Sequence, residues 1–186
     1  VAGFVLEKEV SALGHVLHDP GHPFATILGG AKVRDKIGVL DNLLQRVDKL
    51  LIGGGMAATF LWAQGIAVGT SGMEADRLDF ARDILARAQA SGVAVFLPQD
   101  VVVAPGPPDP SGATTVAVTD IPDQAAIADI GPVTAKTFIN ELQGCKTVLW
   151  NGPMGIFETE AFSRGTLAIA GALAKLNATT IVGGGS

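Results

Sequence analysis

Two lysines four residues apart, Lys32 and Lys36, follow a double glycine, Gly29-Gly30, where an apolar run passes into a helical pattern. That arrangement can hold a phosphate. Backbone N–H groups of the turn, the positive end of a helix dipole and two ammonium groups would meet the phosphate oxygens together. Lysine at a helix start also opposes the dipole, which prefers negative charge there, so a bound anion would supply the balance. If the two lysines share one helical face, as their spacing predicts, they aim at one ligand. The plainer reading is a pair of solvated lysines partnered by Asp35 and Asp41; the double glycine favours phosphate. Arg34 falls elsewhere around the helix and reads as a surface residue.

The same junction recurs. Phe24-Ala25-Thr26-Ile27-Leu28 runs into Gly29-Gly30, Leu50-Leu51-Ile52 into Gly53-Gly54-Gly55, Thr147-Val148-Leu149-Trp150 into Asn151-Gly152, and Thr179-Thr180-Ile181-Val182 into Gly183-Gly184-Gly185. In a parallel sheet these turns share one edge, where α/β proteins bind nucleotides and other phosphates. Gly53-Gly54-Gly55-Met56-Ala57-Ala58 fits the G-x-G-x-x-A dinucleotide pattern, with Glu74 and Asp76 at about the distance of a ribose-binding acid. Those acids sit in a loop before a helix, not at a strand end. A glycine wall against adenine or ribose fits equally well, as does tight helix–strand packing. In the stretch Asn151-Gly152-Pro153-Met154-Gly155-Ile156-Phe157-Glu158, the last residue can accept hydrogen bonds from ribose hydroxyls. It can equally be the negative charge at the start of the next helix. Trp150, Ile156 and Phe157 read as core.

Composition narrows the classes. A chain of 186 residues can build one domain with a proper core. Hydrophobic residues at 48% and charged ones at 17% favour folding over disorder, and the 24 glycines gather at the ends of apolar runs. A net charge of −5 gives no general attraction to nucleic acid or an anionic membrane, so an anionic ligand needs a local positive site. The lone cysteine, Cys145, permits no internal disulfide and fits a reducing cytosol. With no activating histidine nearby it reads as a buried structural thiol. His15, His18 and His22 lack metal-ligand company and read as surface residues. P-loop, G-x-S-x-G, H-E-x-x-H and C-x-x-C motifs are absent, as are a signal peptide and a membrane-length apolar run. The chain opens on Val1 and closes on a glycine-rich turn, so both ends read as cut.

Periodicity predicts helices over 1–17, 33–47, 56–64, 74–90, 132–142 and 160–176. Strands are expected at 24–28, 50–52, 93–97, 101–103, 114–118, 127–130, 147–150 and 179–182. The strands at 101–103 and 114–118 flank the Pro- and Gly-rich loop 105–112 and read as a short β-excursion within the domain. Strands otherwise alternate with helices, which calls for an α/β fold: a mostly parallel sheet with helices on both faces.

These motifs, in this order, resemble the C-terminal, nucleotide-binding domain of the phosphoglycerate kinases. The resemblance runs from Ala2-Gly3-Phe4 and Glu7-Lys8-Glu9 through Ile27-Leu28-Gly29-Gly30-Ala31-Lys32-Val33, Asp35-Lys36-Ile37 and Leu51-Ile52-Gly53-Gly54-Gly55-Met56-Ala57. It continues through Asp129-Ile130-Gly131-Pro132, Trp150-Asn151-Gly152-Pro153-Met154-Gly155, Phe157-Glu158 and Glu160-Ala161-Phe162 to Thr179-Thr180-Ile181-Val182-Gly183-Gly184-Gly185. It implies a Rossmann-like three-layer αβα domain over 19–186, preceded by an interdomain-type helix over 1–18. It also implies a substrate domain and a final C-terminal segment outside this sequence. The activity implied is transfer of the acyl phosphate of 1,3-bisphosphoglycerate to ADP, giving ATP and 3-phosphoglycerate in glycolysis, in a cytoplasmic monomer. Lys36 would hold nucleotide phosphates and Lys32 would lie near the transferred group. Gly30 and Gly53, Gly54 and Gly55 would wall the nucleotide cleft, and Asn151, Pro153 and Glu158 would contact adenosine. Gly183, Gly184 and Gly185 would lead a helix N-terminus onto the phosphates. Many members carry Asp after those three glycines to serve magnesium; this chain has Ser186, so Mg2+ is expected to arrive on the nucleotide with no metal ligand assigned here. A dinucleotide-binding oxidoreductase domain and a non-catalytic nucleotide-binding module are the alternative readings.

Overall fold

Apolar runs without polar alternation form strands covered on both faces. The computed structural model describes residues 19–183, and in it five strands make one parallel sheet, buried at its centre and more exposed at its two edge strands. They are β1 (Phe24–Leu28), β2 (Lys49–Ile52), β3 (Ala94–Phe96), β7 (Thr147–Asn151) and β8 (Thr179–Gly183), ordered β3-β2-β1-β7-β8. All five residues of β1, the central strand, are buried. Leu28 lies opposite both Ile52 and Asn151, and Asn151 opposite Gly183, so four strands end level on one edge.

The side-chain alternation of the strands divides the core in two. Phe24, Leu28, Leu50, Ile52 and Leu149 face α1 (Ile37–Leu43), α2 (Ala57–Ala63) and α3 (Leu78–Ala90). Ala25, Ile27, Leu51, Val148 and Trp150 face α4 (Pro132–Leu142) and α5 (Arg164–Leu173). Helices on both faces give the three-layer α/β arrangement expected. Each helix buries residues at helical spacing, for example Ala81, Ile84 and Ala88 on α3 and Ala135, Phe138 and Leu142 on α4.

The β-excursion is larger than its two expected strands. β4 (Asp100–Ala104) pairs antiparallel with both β5 (Thr114–Ala117) and β6 (Ala126–Ile130), making a separate sheet of order β5-β4-β6. Val101 and Val103 pack with Ala58 and Leu61 of α2, which joins this sheet to the main body. Proline opens α4 at its first helical position. The carboxylate of Asp100 accepts hydrogen bonds from the amides of Val133 (3.0 Å) and Thr134 (2.7 Å), so an acid from β4 caps a helix more than thirty residues on.

Several expected boundaries move. The helix expected over 33–47 divides into a 3-10 turn, Arg34–Lys36, and α1, which ends at Leu43. The Asp48 amide donates to the Phe24 carbonyl (2.8 Å), so the chain must leave the helix early to reach β2. The helices expected over 74–90 and 160–176 likewise begin with 3-10 turns, at Ala75–Arg77 and Glu160–Phe162, and the second stops at Leu173. The helix expected over 1–17, with His15 and His18, lies outside the described residues. His22 is exposed and pairs with Asp48 at 2.6 Å. Cys145 is buried as expected, and burial pushes its thiol pKa up, away from a reactive thiolate.

Candidate functional site

The level strand ends place three glycine turns against one another, backbone to backbone. The Gly29 amide donates to the Asn151 carbonyl and the Gly30 amide to that of Pro153, both at 2.9 Å. The Gly54 amide donates to the Met154 carbonyl (3.1 Å), and the Met56 amide to that of Gly30 (2.9 Å). No side chain fits between. Gly54 has φ +65°, and a Cβ there would lie 2.6 Å from the Gly30 nitrogen. Gly152 has φ +95°, and its Cβ would meet the Gly29 carbonyl oxygen at 2.5 Å. Among the described residues, the amides of Ala31, Lys32 and Gly55 have no acceptor. They are free donors at the meeting point of the turns.

The two lysines do not share a helical face. Lys32 precedes the 3-10 turn in a stretch without regular structure, while Lys36 ends that turn and leads into α1. Lys32 is exposed and makes no hydrogen bond or ion pair among the described residues. Lys36 is half-buried, and its ammonium donates to Oδ1 of Asn151. Burial lowers its pKa against the opposing pull of Asp35. An anion arriving beside Lys36 would favour its charged form. Of the partners in the plainer reading, Asp35 acts on Lys36 through its charge alone, without an ion pair among the described residues, and Asp41 binds Arg87 at 2.8 Å.

Glu74 has a different place from the ribose acid of the dinucleotide pattern. Its Oε2 accepts the amides of Val33 (2.5 Å) and Arg34 (3.2 Å), and its Oε1 accepts Arg34 Nε at 2.8 Å. The amides at the start of the 3-10 turn are thus occupied by a resident carboxylate. A phosphate must instead use the free amides upstream and the two ammonium groups. Arg34 is on the surface, as expected, but is tied to Glu74. Asp76 pairs with Arg77 at 3.5 Å.

The loop after β7 is pinned at both ends. The Trp150 indole N–H donates to the Gly152 carbonyl (2.7 Å), the Met154 amide to Thr166 Oγ1 (3.0 Å) and the Ile156 amide to the Ala128 carbonyl (2.8 Å). Pro153 is partly buried and Glu158 exposed at the far end of this loop. Trp150 is buried and Ile156 partly so, but Phe157 is 50% exposed, not core. A 3-10 turn begins just beyond, at Glu160, and leaves Phe157 no helix face to cover. Beneath the loop lies Asp129, 1% exposed, whose Oδ2 accepts the Gly165 amide and Oδ1 the Ile130 amide, each at 2.8 Å. Burial pushes its pKa up to about 6 against those two hydrogen bonds. Asp129 belongs to the Asp129-Ile130-Gly131-Pro132 motif, for which the sequence assigns no role.

Gly183 ends β8, level with Asn151, while Gly184, Gly185 and Ser186 lie outside the described residues. A cavity of about 800 Å³ opens elsewhere, between α4, α5 and the β4–β5 hairpin, lined by Val102, Thr114, Gly131, Lys136, Arg164 and Gly165 among others. None of the expected site residues lines it. The amides of Val133 and Thr134 beside it are already taken by Asp100, whereas the strand-end turns keep free donors beside two lysines.

Fold and turns together define an α/β domain with glycine turns, free amides and two lysines gathered at the C-terminal edge of a parallel sheet. The comparisons are consistent with that class and go further. The family model for phosphoglycerate kinase matches residues 1–186. The chain is 52% identical over 185 residues to the phosphoglycerate kinase of Pelotomaculum thermopropionicum, covering 100% of this chain and 47% of that protein. It is 53% identical to that of Thermus thermophilus, covering 99% and 47%. The structure of the Coxiella burnetii phosphoglycerate kinase superposes with a TM-score of 0.92 at 43% identity, over 97% of this chain and 46% of that one. The Pyrococcus horikoshii enzyme superposes with a TM-score of 0.82 at 30% identity, over 98% and 46%. The chain belongs to the phosphoglycerate kinase family, and it spans about half the length of the curated relatives it matches.

Proposed function

We propose that this chain is the ADP- and ATP-binding half of a phosphoglycerate kinase, active in glycolysis in the cytoplasm as a monomer. The reaction moves a phosphoryl group from 1,3-bisphosphoglycerate to ADP. A β-phosphate oxygen of ADP bonds to phosphorus as the bond from phosphorus to the carboxyl oxygen breaks. The leaving carboxylate takes no proton at neutral pH, so the protein's task is positioning and charge neutralisation. In this reading Lys36 holds the nucleotide phosphates and Lys32 stands beside the group in transfer. Gly30 and Gly53 to Gly55 wall the cleft, Asn151 and Pro153 meet adenosine, and Glu158 takes the ribose hydroxyls. Gly183, Gly184, Gly185 and Ser186 carry the chain past the phosphates. The 1,3-bisphosphoglycerate site belongs to a domain beyond this chain.

One observation carries the reading. Among the described residues, the three docked turns leave free amides at Ala31, Lys32 and Gly55, next to one unpartnered lysine and one half-buried lysine. That combination suits a polyphosphate and has no evident use in packing. Magnesium fits less well to this part of the chain. Among the described residues no group of three His, Cys, Asp or Glu side chains gathers to hold a metal ion. In this reading the phosphate oxygens of the nucleotide carry the ion. Calorimetric titration with ADP and with NADH tests the proposal. ADP binding that is lost in Lys36→Ala supports it; preference for NADH supports the oxidoreductase reading instead.

A further inference from the structure

Lys32 has no anchor of its own. Its side chain is exposed, its amide and that of Ala31 are free among the described residues, and the stretch from Gly30 to Val33 has no regular structure. Where the ammonium points is therefore set by what holds the two ends of this stretch. Upstream, Gly30 is fixed through its amide to Pro153 and its carbonyl to Met56. Downstream, the hold is Glu74. Its carboxylate takes the Val33 and Arg34 amides and the Arg34 side chain. Glu74 is itself located from behind, because its own amide donates to Oγ1 of Thr59 (3.0 Å), a residue 1% exposed on α2. The segment leading to Glu74 is fastened to β6: the Thr70 amide donates to the Ala125 carbonyl and the Ile127 amide to Ser71 Oγ, both at 2.9 Å.

Glu74 is thus held through its own backbone and the segment before it, and its carboxylate grips the loop end, forty-one residues in sequence from the Val33 amide. Its charge matters as much as its place. The Val33 and Arg34 amides have no acceptor within the 3-10 turn, and an ionised carboxylate accepts from them more strongly than a neutral group would. Partial burial pushes the Glu74 pKa up, but the Arg34 side chain and the two amides outweigh it and hold the acid below the usual carboxylate range.

We propose that Glu74 is a positioning residue for phosphoryl transfer: it fixes the loop that carries Lys32. This rests on the function proposed above. It does not make Glu74 a contact of substrate. A loop misplaced by about 1 Å can lower turnover by roughly a hundredfold while leaving binding groups in reach, so the signature is a loss in kcat with binding retained.

The test uses the intact protein that carries this segment, with Glu74→Ala, Glu74→Gln and Arg34→Ala. ADP affinity is read by calorimetry, kcat by ATP formation, and stability by thermal unfolding. In Glu74→Ala, kcat is expected to fall about tenfold or more while ADP affinity changes less than about threefold. Glu74→Gln keeps one acceptor oxygen and should lose less, and it serves alone if the alanine variant does not fold. Arg34→Ala leaves the carboxylate on both amides and should stay within about twofold of the parent. Unchanged kcat in both Glu74 variants overturns the inference. So does a parallel fall of kcat, ADP affinity and stability, which marks a structural role only. If the parent protein neither binds ADP nor forms ATP, the functional reading itself fails, and this outcome is distinct from the other two.

Discussion

Lys36 owes its position to a partner 115 residues away, and this long reach is why its role was only half legible in the sequence. The spacing of Lys32 and Lys36 after a double glycine is local and pointed to phosphate directly. The Asn151 amide that holds Lys36, and the Glu74 carboxylate that holds the Lys32 loop, depend on strand order, which no local pattern encodes. Glu74 was consequently weighed as a ribose acid. On this account Lys36→Ala weakens ADP binding by about 1.5–3 kcal/mol, roughly tenfold to a hundredfold, as expected for a hydrogen bond to a charged group. Calorimetry on the purified chain checks it, and unchanged affinity would remove Lys36 from the site. Asp129 supplies a second residue-scale test. Its folded pKa of about 6 is raised above the ordinary carboxylate value. Stability from this group is therefore present at low pH and is lost as pH rises through about 6. Asp129→Asn removes the titration, so the variant should gain stability relative to the parent between about pH 4 and pH 6 and hold a constant difference above. Urea unfolding at several pH values reads the difference; a gap that does not change with pH contradicts the burial argument.

At the level of elements, the four strand–glycine junctions were readable because a parallel strand buried on both faces is a continuous apolar run that must stop somewhere. What could not be read was why the glycines are there. The dinucleotide pattern at Gly53 to Ala58 suggested a cofactor turn, whereas Gly54 first of all lets two neighbouring turns touch, with its φ of +65° and a Cβ position 2.6 Å from the Gly30 nitrogen. Gly54→Ala should cost about 1–3 kcal/mol of stability through this strained φ and the clash. The same change should weaken ADP binding, since both neighbouring turns must shift. The helix over 33–47 was overestimated because its apolar spacing continues to Val47, although the strand pairing at Asp48 ends it sooner. The cap of α4 by Asp100 was invisible for a similar reason: the acid belongs to another sheet. Asp100→Ala should destabilise the fold by about 2 kcal/mol, as expected for loss of a helix cap with buried partners. Chemical unfolding measures it, and a change near zero would mean that water replaces the cap.

On the scale of the whole molecule, the chain places the groups proposed to bind nucleotide along one sheet edge but holds only part of what the proposed reaction requires. It spans 47% of its curated relatives, and the second substrate's site is assigned outside it. The purified chain should therefore bind ADP without forming ATP from 1,3-bisphosphoglycerate, because closure of a second domain onto Lys32 and Lys36 would be needed for transfer. Full turnover by this chain alone would contradict the division of labour. The most direct test of the central claim, that the strand-end turns are the nucleotide site, is an ADP titration of the isotope-labelled chain followed by amide NMR. The account predicts shifts concentrated at Gly30 to Lys36, Gly53 to Gly55 and Asn151 to Glu158. Shifts confined to the cavity lined by Val102, Thr114, Lys136 and Arg164, with the glycine turns silent, would contradict it.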